Sequence, residues 1–66
     1  MKNYIKVERA KLNLTQQELA DAIGVSRQTI NSIELDKYVA STILALKLSK
    51  IFNKPVNEIF ELEQDE

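Results

Sequence analysis

One glycine and one proline, Gly24 and Pro55, interrupt this 66-residue chain. With so few breakers, short helices joined by tight connections are the expected architecture. Gly24 falls where one helical pattern stops and another starts. Ahead of it, Thr15-Gln16-Gln17-Glu18 has the form of a capping box, the Thr15 hydroxyl accepting from the Glu18 amide while Glu18 reaches back. Leu19, Ala20 and Ile23 follow at helical spacing, and Gly24 supplies the residue that ends this second helix. After the turn, Ser26 caps a third helix running to Leu35.

The rest of the chain fits around this pair. Val7–Leu12 forms a short first helix ending at Asn13, a residue that tolerates a left-handed turn. A connection from Asp36 to Ala40 leads to Ser41, which caps a fourth helix through Phe52. Pro55 lies where a last short helix, Val56–Phe60, can begin. Asn3-Tyr4-Ile5-Lys6 and Phe60-Glu61-Leu62-Glu63 each carry traces of period-two alternation, which leaves a short β pairing of the two termini open, although four residues of alternation are weak evidence for it. The last four residues are expected to fray. The prediction is an all-α, five-helix single domain over residues 1–66, with a helix-turn-helix unit at about 15–35 and an acidic tail at 61–66.

Composition narrows the function. There is no Cys and no His, hence no disulfide and no ordinary zinc-ligand set, and no Gly-rich phosphate loop. Little material for catalysis is left, so neither an enzyme nor a bound cofactor is expected. No long apolar run follows the N-terminus, which leads to the expectation of a cytoplasmic, nucleoid-associated protein without a membrane span. Net charge is −1, but it is unevenly spread. Residues 1–54 hold all nine Lys and Arg against five acids, for +4, while residues 55–66 hold five acids and no base, for −5. A basic body with an acidic tail is compatible with a polyanionic partner when the tail points away.

The third helix supplies the functional signal. At 100° per residue, Ile30 and Ile33 form an inward stripe, and Gln28, Asn31, Ser32 and Leu35 fall on the outward side, between about 100° and 200° from Ile30. Arg27 and Thr29 flank that face. Short hydrogen-bonding side chains stand where solubility alone would favour Lys and Glu. Gln can pair with adenine, Arg with guanine or a phosphate, and Ser or Thr with several edges, so this face suits the major groove of double-stranded DNA. Gln16 and Gln17, at the start of the second helix, would reach the opposite backbone wall. Two short helices around a Gly-containing turn constitute the helix-turn-helix unit.

The stretch TQQELADAIGVSRQTINSIE resembles the DNA-binding core of the Cro/C1-type (XRE) helix-turn-helix family, and the similarity continues through KYVASTILALKLSKIFNKPVNEIF. In length and ending the chain is similar to the small stand-alone dimeric repressors of that family, such as the cytolysin-operon repressor type. The resemblance implies a lambda-repressor-like five-helix domain, a homodimer and a palindromic operator. It puts base reading on Arg27, Gln28, Thr29 and Ser32, and phosphate contacts on Gln16 and Lys37. It also implies a structural ion pair between Arg9 and Glu34, and Glu34 independently falls only about 40° from Ile30, near the core side. The chain departs from the family pattern at Asp36, where Gly or Asn is common, and at Ala40, where Pro is common.

A second surface is expected on the fourth helix, which is too apolar for one core stripe: Ile43, Leu44, Leu46, Leu48, Ile51 and Phe52 spread around much of its circumference. Val39, Ile43, Ile51, Val56, Ile59 and Phe60 are the expected homodimer contacts, since self-association also stabilises a small core. The competing expectation is an antitoxin-like or adaptor protein, whose apolar surface binds a different protein.

Overall fold

Buried residues from every helix converge on one cluster: Ile5, Leu19, Ala20, Ile23, Ile30, Ile33, Leu48, Phe52, Ile59 and Phe60. A computed structural model describes residues 1–66, in the order β1 (Lys2–Asn3), α1 (Ile5–Lys11), α2 (Gln16–Ile23), α3 (Arg27–Glu34), α4 (Thr42–Phe52), α5 (Val56–Ile59) and β2 (Phe60–Glu61). The predicted capping box is present: the Glu18 amide donates to Thr15 Oγ1 at 3.0 Å, and the Thr15 amide donates to Glu18 Oε1 at 2.9 Å. Ser26 and Ser41 accept from the Thr29 and Leu44 amides, starting α3 and α4 one residue after each cap.

The helix ends share one device. Asn13, Gly24, Asp36 and Asn53 all adopt left-handed conformations, with φ between 54° and 76°. In each case the next residue's amide turns back five residues to a carbonyl: Leu14 to Arg9, Val25 to Ala20, Lys37 to Ser32 and Lys54 to Ser49. This closed ending satisfies carbonyls that would otherwise lack partners, and it makes each following segment leave at a sharp angle. Lys47 from α4 donates to the Ile23 carbonyl at 3.2 Å, fastening the end of α2 from outside.

The termini pair antiparallel, Lys2 opposite Glu61 and Asn3 opposite Phe60. The ribbon lies one step earlier in the N-terminal segment than the alternation suggested. Ile5 is fully buried and already helical, so α1 begins two residues before Val7. Its start is held by Asn3, whose Oδ1 accepts from the Ile5 amide at 3.2 Å. The last residues do not splay: the Glu63 amide donates to Glu66 Oε1, and both carboxylates lie within 3.3 Å of the Met1 ammonium.

One buried carboxylate lies away from α2 and α3. Glu8 is 6% exposed and meets Lys54 at 3.0 Å and Lys11 at 3.2 Å, which ties α1 to the α4–α5 connection. The hydrogen bond from Lys54 is the main reason that Glu8 is held below the usual carboxylate range, and Lys54 is correspondingly raised by Glu8.

Candidate nucleic-acid interface

The placement of α3 follows from what α2 lets it approach. Ala20, a methyl-sized side chain with no exposed surface, stands on α2 beside Leu19 and Ile23. Ile30 and Ile33 fill the space opposite, so the inward stripe of α3 is fully committed to the core. The Gly24 turn joins the two helices, and half-buried Val25 packs on the core beneath it. Opposite that stripe, Arg27, Gln28 and Asn31 are exposed, and Thr29 and Ser32 are half-buried.

Two polar concavities flank this outward face. One is lined by Arg27, Gln28 and Asn31, and the other by Ser26, Gln28, Thr29, Ser32, Lys37 and Tyr38. Gln28 belongs to both and is therefore the crest between them. Thr29 Oγ1 lies 2.9 Å from Ser26 Oγ, which draws its hydroxyl toward the helix cap. Lys37 is exposed immediately beyond the end of α3. Tyr38, 48% exposed, lines the second concavity and carries no helical periodicity that could have marked it in the sequence.

Behind this face lies a hydrogen-bonded network. Arg9 donates through Nε to Glu34 Oε2 at 2.9 Å and through a terminal nitrogen to Glu34 Oε1 at 3.2 Å, the two-pronged geometry that guanidinium and carboxylate favour. A further Arg9 nitrogen donates to the Leu14 carbonyl at 2.9 Å, bracing the α1–α2 turn. The expected Arg9–Glu34 geometry is thus present, with side-chain exposures of 15% and 6%. Gln16 joins it: its Nε2 donates to Glu34 Oε1 at 3.2 Å and to Asn31 Oδ1 at 3.1 Å. Gln17 donates along its own helix to Asp21 at 2.8 Å.

Both amide protons of Gln16 have acceptors inside the protein, so a side-chain contact from Gln16 to a phosphate oxygen would exchange one of these bonds for it. The open donors at the start of α2 are the backbone amides of Gln16 and Gln17, which no intrahelical carbonyl can reach. Asn3 was not foreseen either. Its Nδ2 donates to the Ile33 carbonyl at 3.0 Å and to Asp36 Oδ1 at 2.9 Å, so β1 supports the end of α3 from 30 residues away. The bond to Asp36 accompanies a left-handed φ of 60° at a non-glycine residue. No local pattern in the sequence could announce a contact of that separation.

The expected dimer residues divide. Val39 and Ile43 are 65% and 67% exposed, joined by Leu46 at 59%, and Ile51 and Val56 are half-buried. Ile59 and Phe60 are not surface residues: at 0% and 8% exposure they close the core beneath the terminal ribbon, so they offer little or nothing to a partner. Met1, Ala40, Ala45, Val56 and Phe60 line a small apolar depression next to this surface. No three His, Cys, Asp or Glu side chains converge where they could hold a metal ion, and no helix is long and apolar enough to cross a membrane.

Comparison with known proteins matches this arrangement to a family. Residues 5–59 match the model of the helix-turn-helix family, spanning α1 through α5. An uncharacterized HTH-type transcriptional regulator of Methanocaldococcus jannaschii is 52% identical over 66 residues, covering all of both chains. A similarly named protein of Archaeoglobus fulgidus is 44% identical over 66 residues, with 93% of its own length covered. The Bacillus subtilis protein YgzD, also named an HTH-type transcriptional regulator, is 42% identical over 65 residues, with 98% of each chain covered. With the capped α2–Gly24–α3 unit at its centre, the chain belongs to the helix-turn-helix family of Cro/C1 (XRE) type.

Proposed function

We propose that this chain is a sequence-specific DNA-binding transcription regulator that represses by occupying a promoter. The observation that carries this reading is the outward face of α3. Gln28 crests it between two polar concavities, Arg27 and Lys37 stand at its two ends, and no Lys or Glu lies within it. In this reading α3 enters the major groove, with Arg27, Gln28, Thr29, Asn31 and Ser32 at base edges. Lys37 and the free amides at the start of α2 meet phosphates on either side. Binding would be steeply salt-dependent, because each neutralised phosphate releases counterions.

The chain acts in this reading as a homodimer on a palindromic operator. Val39, Ile43 and Leu46 supply exposed apolar area, with half-buried Val56 and Ile51 as the remaining proposed contacts. A two-fold axis there would present two copies of α3 to successive major grooves, roughly 34–36 Å apart. The same apolar surface also favours a second reading, an adaptor or antitoxin-like protein that binds a different protein. A heterocomplex recovered from cells, together with no duplex binding at low salt, would select that second reading.

The deciding measurement is selection of duplexes from a random pool, followed by binding assays on variants. Gln28→Ala is expected to relax base preference, by about 1–3 kcal/mol at the position it reads. Lys37→Ala is expected to weaken all sequences alike and to reduce the salt slope by about one unit. Unchanged operator discrimination in Gln28→Ala would remove α3 from the groove.

A further inference from the structure

We infer that Asn3, on the terminal ribbon, is a positioning residue for the phosphate contact of Lys37: its amide group bonds Asp36 and holds the left-handed turn from which Lys37 departs. This rests on the DNA-binding reading above and deepens it, because Asn3 itself meets no nucleic acid.

Four turns in the chain contain a left-handed residue, and three of them are filled by the types that enter that region most readily, Asn13, Gly24 and Asn53. The fourth is Asp36, with a φ of 60°. It is also the only one of the four whose side chain is bonded from a distant part of the chain, by Asn3 Nδ2 at 2.9 Å. Asn3 makes this bond in a single orientation. Its Oδ1 accepts from the Ile5 amide at 3.2 Å, while its Nδ2 faces two acceptors, the Ile33 carbonyl at 3.0 Å and the Asp36 carboxylate. Reversed, the oxygen would oppose both acceptors and the nitrogen would oppose an N–H. The backbone of Asn3 is fixed in turn by β1–β2 pairing, opposite Phe60.

Little else holds the segment that follows. The Lys37 amide closes the turn on the Ser32 carbonyl at 2.9 Å, a bond that depends on the left-handed conformation of Asp36. Tyr38, Val39 and Ala40 make no hydrogen bond through backbone or side chain before Ser41 caps α4. Ala40 has no ring to fix its backbone. The direction in which Lys37 leaves α3 is therefore set at Asp36, and Asp36 is held by Asn3. Without that bond the turn opens more often, and the exposed Lys37 ammonium spreads over positions of which few face a phosphate. Asn3 thus contributes to affinity for every duplex and to no base preference.

The test uses Asn3→Ser and Asn3→Thr, each alone and together with Lys37→Ala, with a thermal melt of each protein. Both hydroxyls are uncharged and keep an acceptor for the Ile5 amide, but they are one atom shorter and leave Asp36 beyond hydrogen-bond distance. Should one of the two fail to fold, the other carries both readouts. The first readout needs no DNA. Hydrogen exchange at the Lys37 amide is expected to quicken roughly threefold to tenfold, the range of one hydrogen bond. The Val25 amide, which closes the equivalent turn on Ala20, is expected to stay unchanged. The second readout is binding, across a salt series, of the duplex that the wild type selects from a random pool and of a scrambled duplex of equal length. Both replacements are expected to weaken the two duplexes alike, roughly threefold to tenfold, and to lower the salt slope toward that of Lys37→Ala. In the Lys37→Ala background they are expected to change neither. Unchanged exchange at Lys37, or a full salt slope in the folded variants, overturns the inference. An equal loss with and without Lys37 also overturns it, since Asn3 would then act on the fold as a whole. Lys37→Ala with a wild-type slope overturns it too and leaves the reading of α3 standing, whereas a wild type that selects no duplex removes that reading and this inference together.

Discussion

Glu34 accepts two hydrogen bonds from Arg9 and one from Gln16, so three elements depend on a single carboxylate. Removing one member of such a pair leaves an uncompensated charge in a site that excludes most water. Glu34→Gln is therefore expected to destabilise the fold by about 3 kcal/mol, read from the midpoint of urea unfolding. The double replacement Arg9→Met with Glu34→Leu is expected to recover part of that loss, because apolar groups of similar volume need no counter-charge. Recovery stays incomplete, since the bond from Arg9 to the Leu14 carbonyl goes with the guanidinium. A double variant no more stable than Glu34→Gln alone would show that the pair does not act as a unit. The position of Glu34 beside the core stripe of α3 could be read from helical periodicity, and its partner from resemblance. The bonds of Gln16 could not, because they depend on where the first turn of α2 crosses α3.

At the scale of elements, the starts of helices were legible to the residue where a side chain caps them, at Thr15, Ser26 and Ser41. The start of α1 was not, since Tyr4 makes no capping bond and Asn3, two residues before Ile5, accepts in its place. The ends divide similarly. Asn13 and Gly24 announce themselves by residue type, whereas Asn53 was hidden behind Pro55, the more conspicuous breaker. Gly24 offers a clean measure of what such an ending costs. A Cβ there would meet only Lys47 Nζ, at 3.9 Å, so Gly24→Ala adds no clash and carries only the price of a positive φ. That substitution is expected to lose about 1–2 kcal/mol, and Gly24→Asn less, in thermal or urea denaturation. Equal losses for the two would mean that backbone conformation is not what this position selects.

At the scale of the molecule, the core is divided between local and distant partners. The α2–α3 contact was legible because Leu19, Ala20, Ile30 and Ile33 lie within one short window. The burial of Ile59 and Phe60 was not, because it depends on α5 and β2 returning to the N-terminal segment. Glu8 makes a comparable long link, through Lys54, and gives stability a pH dependence. A carboxylate held below its ordinary range stabilises the fold above that range, and the contribution disappears as pH falls through the lowered value. Glu8→Gln is therefore expected to unfold with less change between pH 6 and about pH 3 than the wild type, followed by urea midpoint across that interval. The proposed self-association has its own measurement: Ile43→Glu is expected to shift sedimentation toward the monomer while leaving the thermal unfolding of the monomer near that of the wild type. The bonds from Gln16 to Glu34 and Asn31 reach furthest of all, since they join the first turn of α2 to the outer half of α3. A copy of this chain diverging toward a new promoter could change the outermost letters of α3 one at a time, whereas a change at position 31 or 34 would have to be matched at position 16.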